Sequence, residues 1–486
     1  GLVILDRVTL KPNDLYSATE VERSRERLAR LGLFSSVSIE LLDDDPRASV
    51  RDLLVVVKER PQFAVEVGAG ASVEDGPRAF LAGEVRNIFG LGFGVRGRGQ
   101  LNYPRAFYGF VYDAKDPNNP LLRFPSTATL TQQYGDTAAP FIELGQFFEG
   151  QAVLTAELPK VYGMPFDTRL HLDTAAQREI RPAFTLNRAS VLGGFDMQPS
   201  SWLQVSPVIE GEVSDFDCPK DLELGVSCGA GNAGITRRLD AGFLRQTTYR
   251  VTVSVDLRDN PVRPRSGAWF SETTDVALGS GDLRENGSAA NAAAVNSDFI
   301  KQTGAFAGYV PLSPTFVWAI SGRIGNIFPL SDNDYVPLFK RFYLGGTSSI
   351  RGFREDEILP ADDCRWPATS YAPLTAAPQS AAAVTCESTS QSLGGNFVVV
   401  GRSELRITVI GDLEMATFVD VGQLDEDAVD FNPAGFAAGA GVGVRYNTPV
   451  GPFAVDLGWK VLDGRRALPP LSSLDRMNLH LSIGYF

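Results

Sequence analysis

From residue 62 to the end of the chain, apolar and polar positions alternate with a period of two. In Tyr249–Leu257, Tyr249, Val251, Val253, Val255 and Leu257 alternate with Arg250, Thr252, Ser254 and Asp256. In Phe316–Ile327, Phe316, Trp318, Ile320 and Ile324 share one face, with Val317, Ala319, Ser321, Arg323 and Gly325 opposite. Asn396–Ile410, Leu413–Gln423, Gly435–Asn447, Phe453–Lys460 and Met477–Phe486 continue the pattern. Successive strand side chains point to opposite faces, so each segment predicts a strand with one apolar face. Residues 1–60 differ. Ser17-Ala18-Thr19-Glu20 reads as a capping box, and Val21, Ser24, Leu28 and Leu31 then recur at helical spacing up to Gly32. Two strand candidates follow, Val37–Leu42 and Leu53–Lys58, so this part predicts a helix packed on a small sheet.

Three features place the apolar faces of residues 61–486 against lipid, not in the interior of a soluble sandwich. The predicted strands run about nine to twelve residues, near a membrane-spanning length. Aromatic residues gather near strand ends (Trp269, Phe270, Trp318, Phe328, Tyr446, Trp459, Tyr485). Connections alternate between short ones, such as 311–314 and 448–451, and long ones at 215–246, 280–297 and 329–394. No stretch has the 18 or so apolar residues of a spanning helix. The expected fold is therefore mainly β, a transmembrane antiparallel barrel of about 16 to 18 strands behind a small α/β domain. Residues 104–146 read either as one exterior loop or as a further hairpin.

The chain has 486 residues, 45 basic and 58 acidic, for a net charge of −13. That balance argues against a nucleic-acid partner, which needs a basic footprint. The four cysteines fall as two local pairs in predicted loops, Cys218 with Cys228 and Cys364 with Cys386, which suggests two disulfides in an oxidising compartment. Neither Cys nor the two His cluster at metal-ligand spacing, so no metal and no cofactor are expected. His171 and His480 lie on separate predicted strands, and no Gly-x-Ser-x-Gly elbow occurs, so no catalytic residues are expected. Gly90–Gly99 and Gly439–Gly443 open strands, not helices, and are no phosphate cradles. Small residues there leave room inside a barrel for a folded-in loop.

Within 329–394 lies Gly345-Gly346-Thr347-Ser348-Ser349-Ile350-Arg351-Gly352-Phe353. It resembles the loop-six signature of the POTRA-plus-barrel outer-membrane assembly superfamily, which includes BamA-like and TamA-like proteins. Thr417–Gly422, Asn447–Phe453 with Asp456, Asn87–Gly92, the terminal Leu481–Phe486 and Gly32-Leu33-Phe34 resemble further family motifs in family order. The resemblance implies that residues 1–60 are the C-terminal portion of a POTRA domain. Its first strand and first helix are not legible, so the chain is expected to begin inside that domain. It also implies that loop six folds into the lumen and that Arg351 pairs there with inward carboxylates. Alternation points Asp420, Asp456 and Glu404 inward, ranked in that order as partners, because guanidinium binds carboxylate bidentately and keeps its charge.

The same resemblance implies an outer-membrane location, with the POTRA domain in the periplasm. The implied activity is assembly of β-barrel proteins, with unfolded barrel substrates, outer-membrane lipids and accessory assembly subunits as partners. Export of a secreted protein through the lumen is the second reading. Physically, assembly needs an unpaired strand template, and a barrel supplies one where its first and last strands meet. Those are expected to be about Gln62–Ser72 and Met477–Phe486. The seam is expected at Val65, Val67, Gly68 and Gly70 against Leu479, Leu481, Ile483 and Phe486, with the glycines weakening the first strand.

Overall fold

In a computed structural model, a two-stranded sheet with helices stands beside a closed antiparallel β-barrel. The structure describes all residues except 1, 6, 30, 43–49, 51, 73, 91, 104–147, 162, 165, 182–183, 218–240, 262, 285–291, 361–391, 430, 432–434, 449–450, 465–467, 469, 471–475 and 484–486. The four cysteines, the 104–146 question, Tyr485 and Phe486 therefore lie outside the described residues.

The N-terminal part has a short helix α1 (Leu2–Leu5), a longer helix α2 (Ala18–Ala29) and strands β1 (Phe34–Leu41) and β2 (Leu53–Glu59). Ser17 caps α2 as the capping box predicts, its hydroxyl accepting from the Glu20 N–H at 3.4 Å. Helical spacing then puts Leu28 inward, where with Leu31, Leu33 and Phe34 it forms a core backed by Val37, Ile39, Val55 and Val57. The register Val37↔Val57 and Ile39↔Val55 sets those four side chains on one face.

The barrel strands are β3 (Phe63–Ser72), β4 (Gly76–Ile88), β5 (Phe93–Asn102), β6 (Glu149–Leu158), β7 (Asp167–Ile180), β8 (Thr185–Ser200), β9 (Leu203–Asp217), β10 (Ala241–Asp256) and β11 (Gly267–Arg284). They continue with β12 (Ala292–Asn296), β13 (Phe299–Pro311), β14 (Phe316–Pro329), β15 (Phe397–Ile410), β16 (Leu413–Asp425), β17 (Ala437–Thr448), β18 (Gly451–Asp463) and β19 (Met477–Ile483). Both β12 and β13 pair with β11, so these 17 segments make 16 staves among the described residues. The strand count thus falls at the lower end of the expectation. Two expectations need correction. Many strands are longer than nine to twelve residues, β11 reaching 18, while β3, β5, β6 and β17 stay within that range. The loop expected at 280–297 is mostly strand, since Ser280–Arg284 pairs with Ala292–Asn296. Both corrections have one cause: ladders carry on past the membrane's apolar thickness into the exterior, where alternation weakens.

Alternation puts opposite chemistry on the two faces. On β16, Val419 and Val421 are 56% and 36% exposed on the outer face, and Asp420 between them is 0% exposed. A water-soluble sandwich would show the reverse. Trp269, expected in an aromatic girdle, instead faces inward across from Asp256, with the Arg258 guanidinium 6.0 Å from its ring centre. No helix among the described residues is long and apolar enough to cross a membrane.

Candidate functional site

The segment between β14 and β15, loop six, folds back into the barrel. Leu344, Ile350, Phe353 and Ile358 pack with Ile327, Val398, Val400 and Leu424 of the inner wall. Leu338 and Leu393 join a second cluster with Phe184, Leu186, Phe216 and Leu244. Two apolar footings thus hold the loop, one against β14 to β16 and one against β8 to β10, and its motif docks on β15 to β18.

Arg351 is 1% exposed. Its Nε and Nη2 donate to Asp420 Oδ2 at 2.8 Å and Oδ1 at 2.9 Å, a bidentate fork, and its backbone N–H donates to the same carboxylate at 3.1 Å. Nη1 donates to Glu404 at 2.7 Å and reaches Asp456 at 3.5 Å, so Glu404 lies closer than Asp456. The guanidinium also lies 3.5 Å above the Phe418 ring centre. Burial alone would loosen the guanidinium's proton, but Asp420 and Glu404 more than offset that and hold its pKa above the ordinary value.

The three carboxylates come from β15, β16 and β18. The strand between, β17, contributes glycine, and the Arg351 carbonyl occupies the space that a Cβ on Gly439 would take. Gly352 adopts φ +106°, and a Cβ there would lie 2.8 Å from the Trp459 carbonyl oxygen. Three further cations complete the network: Arg406 and Arg445 donate to Glu404 at 2.7 Å, and Arg402 reaches Asp420 at 3.4 Å. Strand alternation puts Arg402 and Arg406 on the same inner face as Glu404. Their role as co-partners could have been read from that spacing, while Arg445 requires the cross-strand register.

Other parts of the loop are also tied down. The Lys460 ammonium donates to Glu357, and Asn478 donates to the Phe353 carbonyl at 3.0 Å. Arg181 binds Glu355 and, at 3.2 Å, Asp356. The Glu355 carboxyl is pushed up to about 8, first by burial and then by Asp356, Glu74 and Asp75, against the pull of Arg181.

The closing seam differs from the sequence expectation. Among the described residues β19 meets β3 through two pairs, Ser482↔Ser72 and Ile483↔Ala71. The neighbouring β3–β4 ladder has ten and β18–β19 seven. Barrel shear staggers β19 toward the exterior, so its described residues meet β3 at Ala71 and Ser72. Phe63 to Gly70 has no partner on that side among the described residues, and Phe63, Val65 and Val67 are 70%, 75% and 74% exposed. Leu479 and Leu481 pair with Leu457 and Val455 of β18. Gly68 faces Phe80, whose ring fills the space of a Cβ, so this glycine also serves packing.

A 16-stave antiparallel barrel with an inward-folded loop locked by a buried arginine, preceded by a small α/β domain, defines a class of outer-membrane barrel. The Omp85 superfamily domain matches residues 208–485, and the chain belongs to that superfamily. A second family model, described as "Surface antigen variable number repeat" and labelled POTRA, matches residues 3–60. The chain is 23% identical over 469 residues to an outer membrane protein assembly factor BamA of Nitratidesulfovibrio vulgaris, covering 95% of this chain and 47% of that one. It is 24% identical to a BamA of Neorickettsia risticii, covering 95% and 51%. The chain thus spans about half the length of these curated relatives. BamA from Haemophilus ducreyi lacking POTRA domains 1–3 has a similar fold, with TM-score 0.65 at 13% identity, covering 99% of this chain and 81% of that one. CdiB from Acinetobacter baumannii gives 0.51 at 12% identity, covering 98% and 69%. The chain is an outer-membrane barrel of the Gram-negative type, with its POTRA domain on the periplasmic side.

Proposed function

We propose that this chain inserts and assembles β-barrel proteins in the outer membrane by offering its seam as a strand template. The observation that carries the proposal is the edge of β3 from Phe63 to Val67, unpaired on that side among the described residues and exposed at Phe63, Val65 and Val67, beside a closure of two pairs among the described residues. An open edge presents backbone donors and acceptors that a substrate strand can satisfy by β-augmentation. Unfolded barrel proteins are the substrates, outer-membrane lipids the surroundings, and accessory assembly subunits further partners; the BamA relatives are outer membrane protein assembly factors. In this proposal residues 1–60 are the C-terminal portion of a POTRA domain, and loop 329–394 plugs the barrel 61–486. A plugged lumen favours lateral release over export through the pore. No cofactor enters, because substrate folding supplies the driving force.

The test is reconstitution in lipid vesicles, with a urea-unfolded eight-stranded barrel as substrate and heat-modifiable migration as the readout. A seam disulfide made by Ser72→Cys with Ser482→Cys, in a background with the native cysteines replaced by serine, should stop insertion, and reductant should restore it. Equal insertion by the oxidised and reduced forms would remove the seam from the mechanism.

A further inference from the structure

The Gly345–Gly346–Thr347 part of the loop motif is not used by the arginine site. It lies against the seam. The turn after β3 carries Glu74, and this carboxylate accepts from the Thr347 N–H at 2.6 Å and the Thr347 hydroxyl at 2.7 Å. The turn itself is fixed: Ser72 Oγ donates to Asp75 at 3.0 Å and accepts from the Asp75 N–H at 2.9 Å. Gly346 has φ +89°, and a Cβ there would lie 2.6 Å from Glu74 Oε1. The second glycine of the motif is therefore what lets the loop approach this carboxylate.

The same loop also grips the other side of the seam. On β19, Asn478 Nδ2 donates to the Phe353 carbonyl at 3.0 Å, and the Gly352 N–H points at His480 Nε2 at 3.5 Å. In the register that pairs Ser72 with Ser482, Glu74 falls opposite His480, and His480 Nδ1 lies 3.6 Å from Glu74 Oε1. Asn478 and His480 are 5% and 3% exposed. Beyond the two backbone pairs among the described residues, side chains extend the seam: His480 meets Glu74 directly, and loop six contacts Glu74, Asn478 and His480. Burial works against the Glu74 carboxylate, yet His480 and Thr347 outweigh it and hold its pKa below the ordinary value.

We propose that loop six is a clasp across the seam, holding the first hairpin through Glu74–Thr347 and the last strand through Asn478–Phe353 and His480–Gly352, so that the seam opens when the loop is displaced. This rests on reading the seam as the substrate template and names the device that controls it. Glu74, Thr347 and Asn478 are positioning residues in this scheme. Since the clasp has two ends, releasing either one is enough to free the seam.

The test is backbone amide exchange of the whole chain in lipid vesicles, without substrate. Glu74→Ala, and separately Asn478→Ala, should speed exchange at Ala69–Ser72 and His480–Ile483 roughly tenfold or more, the scale of a lost charged or buried hydrogen bond. The double variant should add less than the product of the singles, and amides of β15 and β16 should stay within about twofold. Thr347→Val, which keeps the shape and removes one donor, should raise seam exchange by a smaller factor. Unchanged seam exchange in the single variants overturns the clasp. Equal acceleration on β15 and β16 overturns it too, since Glu74 would then brace the whole barrel. Because no substrate is present, failure of wild-type insertion would sink the assembly reading and leave this result standing, and the reverse also holds.

Discussion

Arg351 sits where three carboxylates from three strands converge, and its burial decides how much it matters. An exposed ion pair contributes about 0–1 kcal/mol, but removing one member of a buried pair costs about 3–5 kcal/mol because the remaining charges lose their partner. Arg351→Ala removes the fork from the fully buried Asp420, leaving it the Arg402 guanidinium at 3.4 Å and the residue-351 N–H. We expect Arg351→Ala to destabilise the barrel by about 3–5 kcal/mol, read as the urea midpoint in detergent. Arg351→Lys should recover only part, since an ammonium lacks the fork that spans both Asp420 oxygens. A variant as stable as wild type would make the network incidental. The pH dependence belongs at this scale too. Burial raises the docked Glu355 carboxyl above its ordinary value of 4.5, against the pull of Arg181. Its contribution to docking is therefore full below 4.5 and is lost as pH rises through the raised value. The depressed Glu74 acts oppositely, its contribution present above 4.5 and lost on acidification. Amide exchange corrected for its intrinsic pH dependence should show the Glu355 tip loosening toward pH 9 and the seam loosening toward pH 4.

At the scale of elements, the strands were legible in the sequence because each needs only its own alternation. That alternation also shows the inner face of β15, β16 and β18, so the sequence alone aims Glu404, Asp420 and Asp456 at the lumen. The seam register could not be read. It is fixed by shear accumulated over every intervening strand, and no local pattern in β3 or β19 records it. Val65 and Val67, expected in that seam, are exposed and have no β19 partner among the described residues. Arg181 was also hidden, because its contact with Glu355 joins residues 174 apart and depends on where loop six lands. Loop six itself depends on its backbone. Gly352→Ala forces an L side chain to φ +106° and drives a Cβ onto the Trp459 carbonyl oxygen. The strain alone costs about 1–3 kcal/mol. We expect this variant to fold with loop six displaced, seen as new protease cleavage between 338 and 360; an uncut loop would contradict the packing argument.

At the scale of the whole molecule, the N-terminal domain is joined to the barrel by a buried cation. Arg7 is 4% exposed and donates to Asp167 at the start of β7 at 2.7 Å, with Arg27 at 3.6 Å from the same carboxylate. Asp167→Asn removes the charge that both arginines share. We expect the POTRA–barrel distance, measured between paired spin labels, to broaden in this variant while barrel melting stays near wild type. An unchanged distribution would mean that apolar packing alone sets the domain's position. The barrel then combines a docked domain, a plug anchored at its centre and a closure that is short among the described residues, an arrangement suited to opening at one place.

Where a substrate strand docks decides most directly between the seam and the lumen. A stalled substrate with single cysteines along its last strand can be offered to a chain carrying Val65→Cys at the open β3 edge, or Ala175→Cys on the inner wall of β7. Disulfide capture at position 65, in a ladder of alternate substrate positions, is the predicted result. Capture at 175 with none at 65 would place the substrate in the lumen and contradict assembly at the seam.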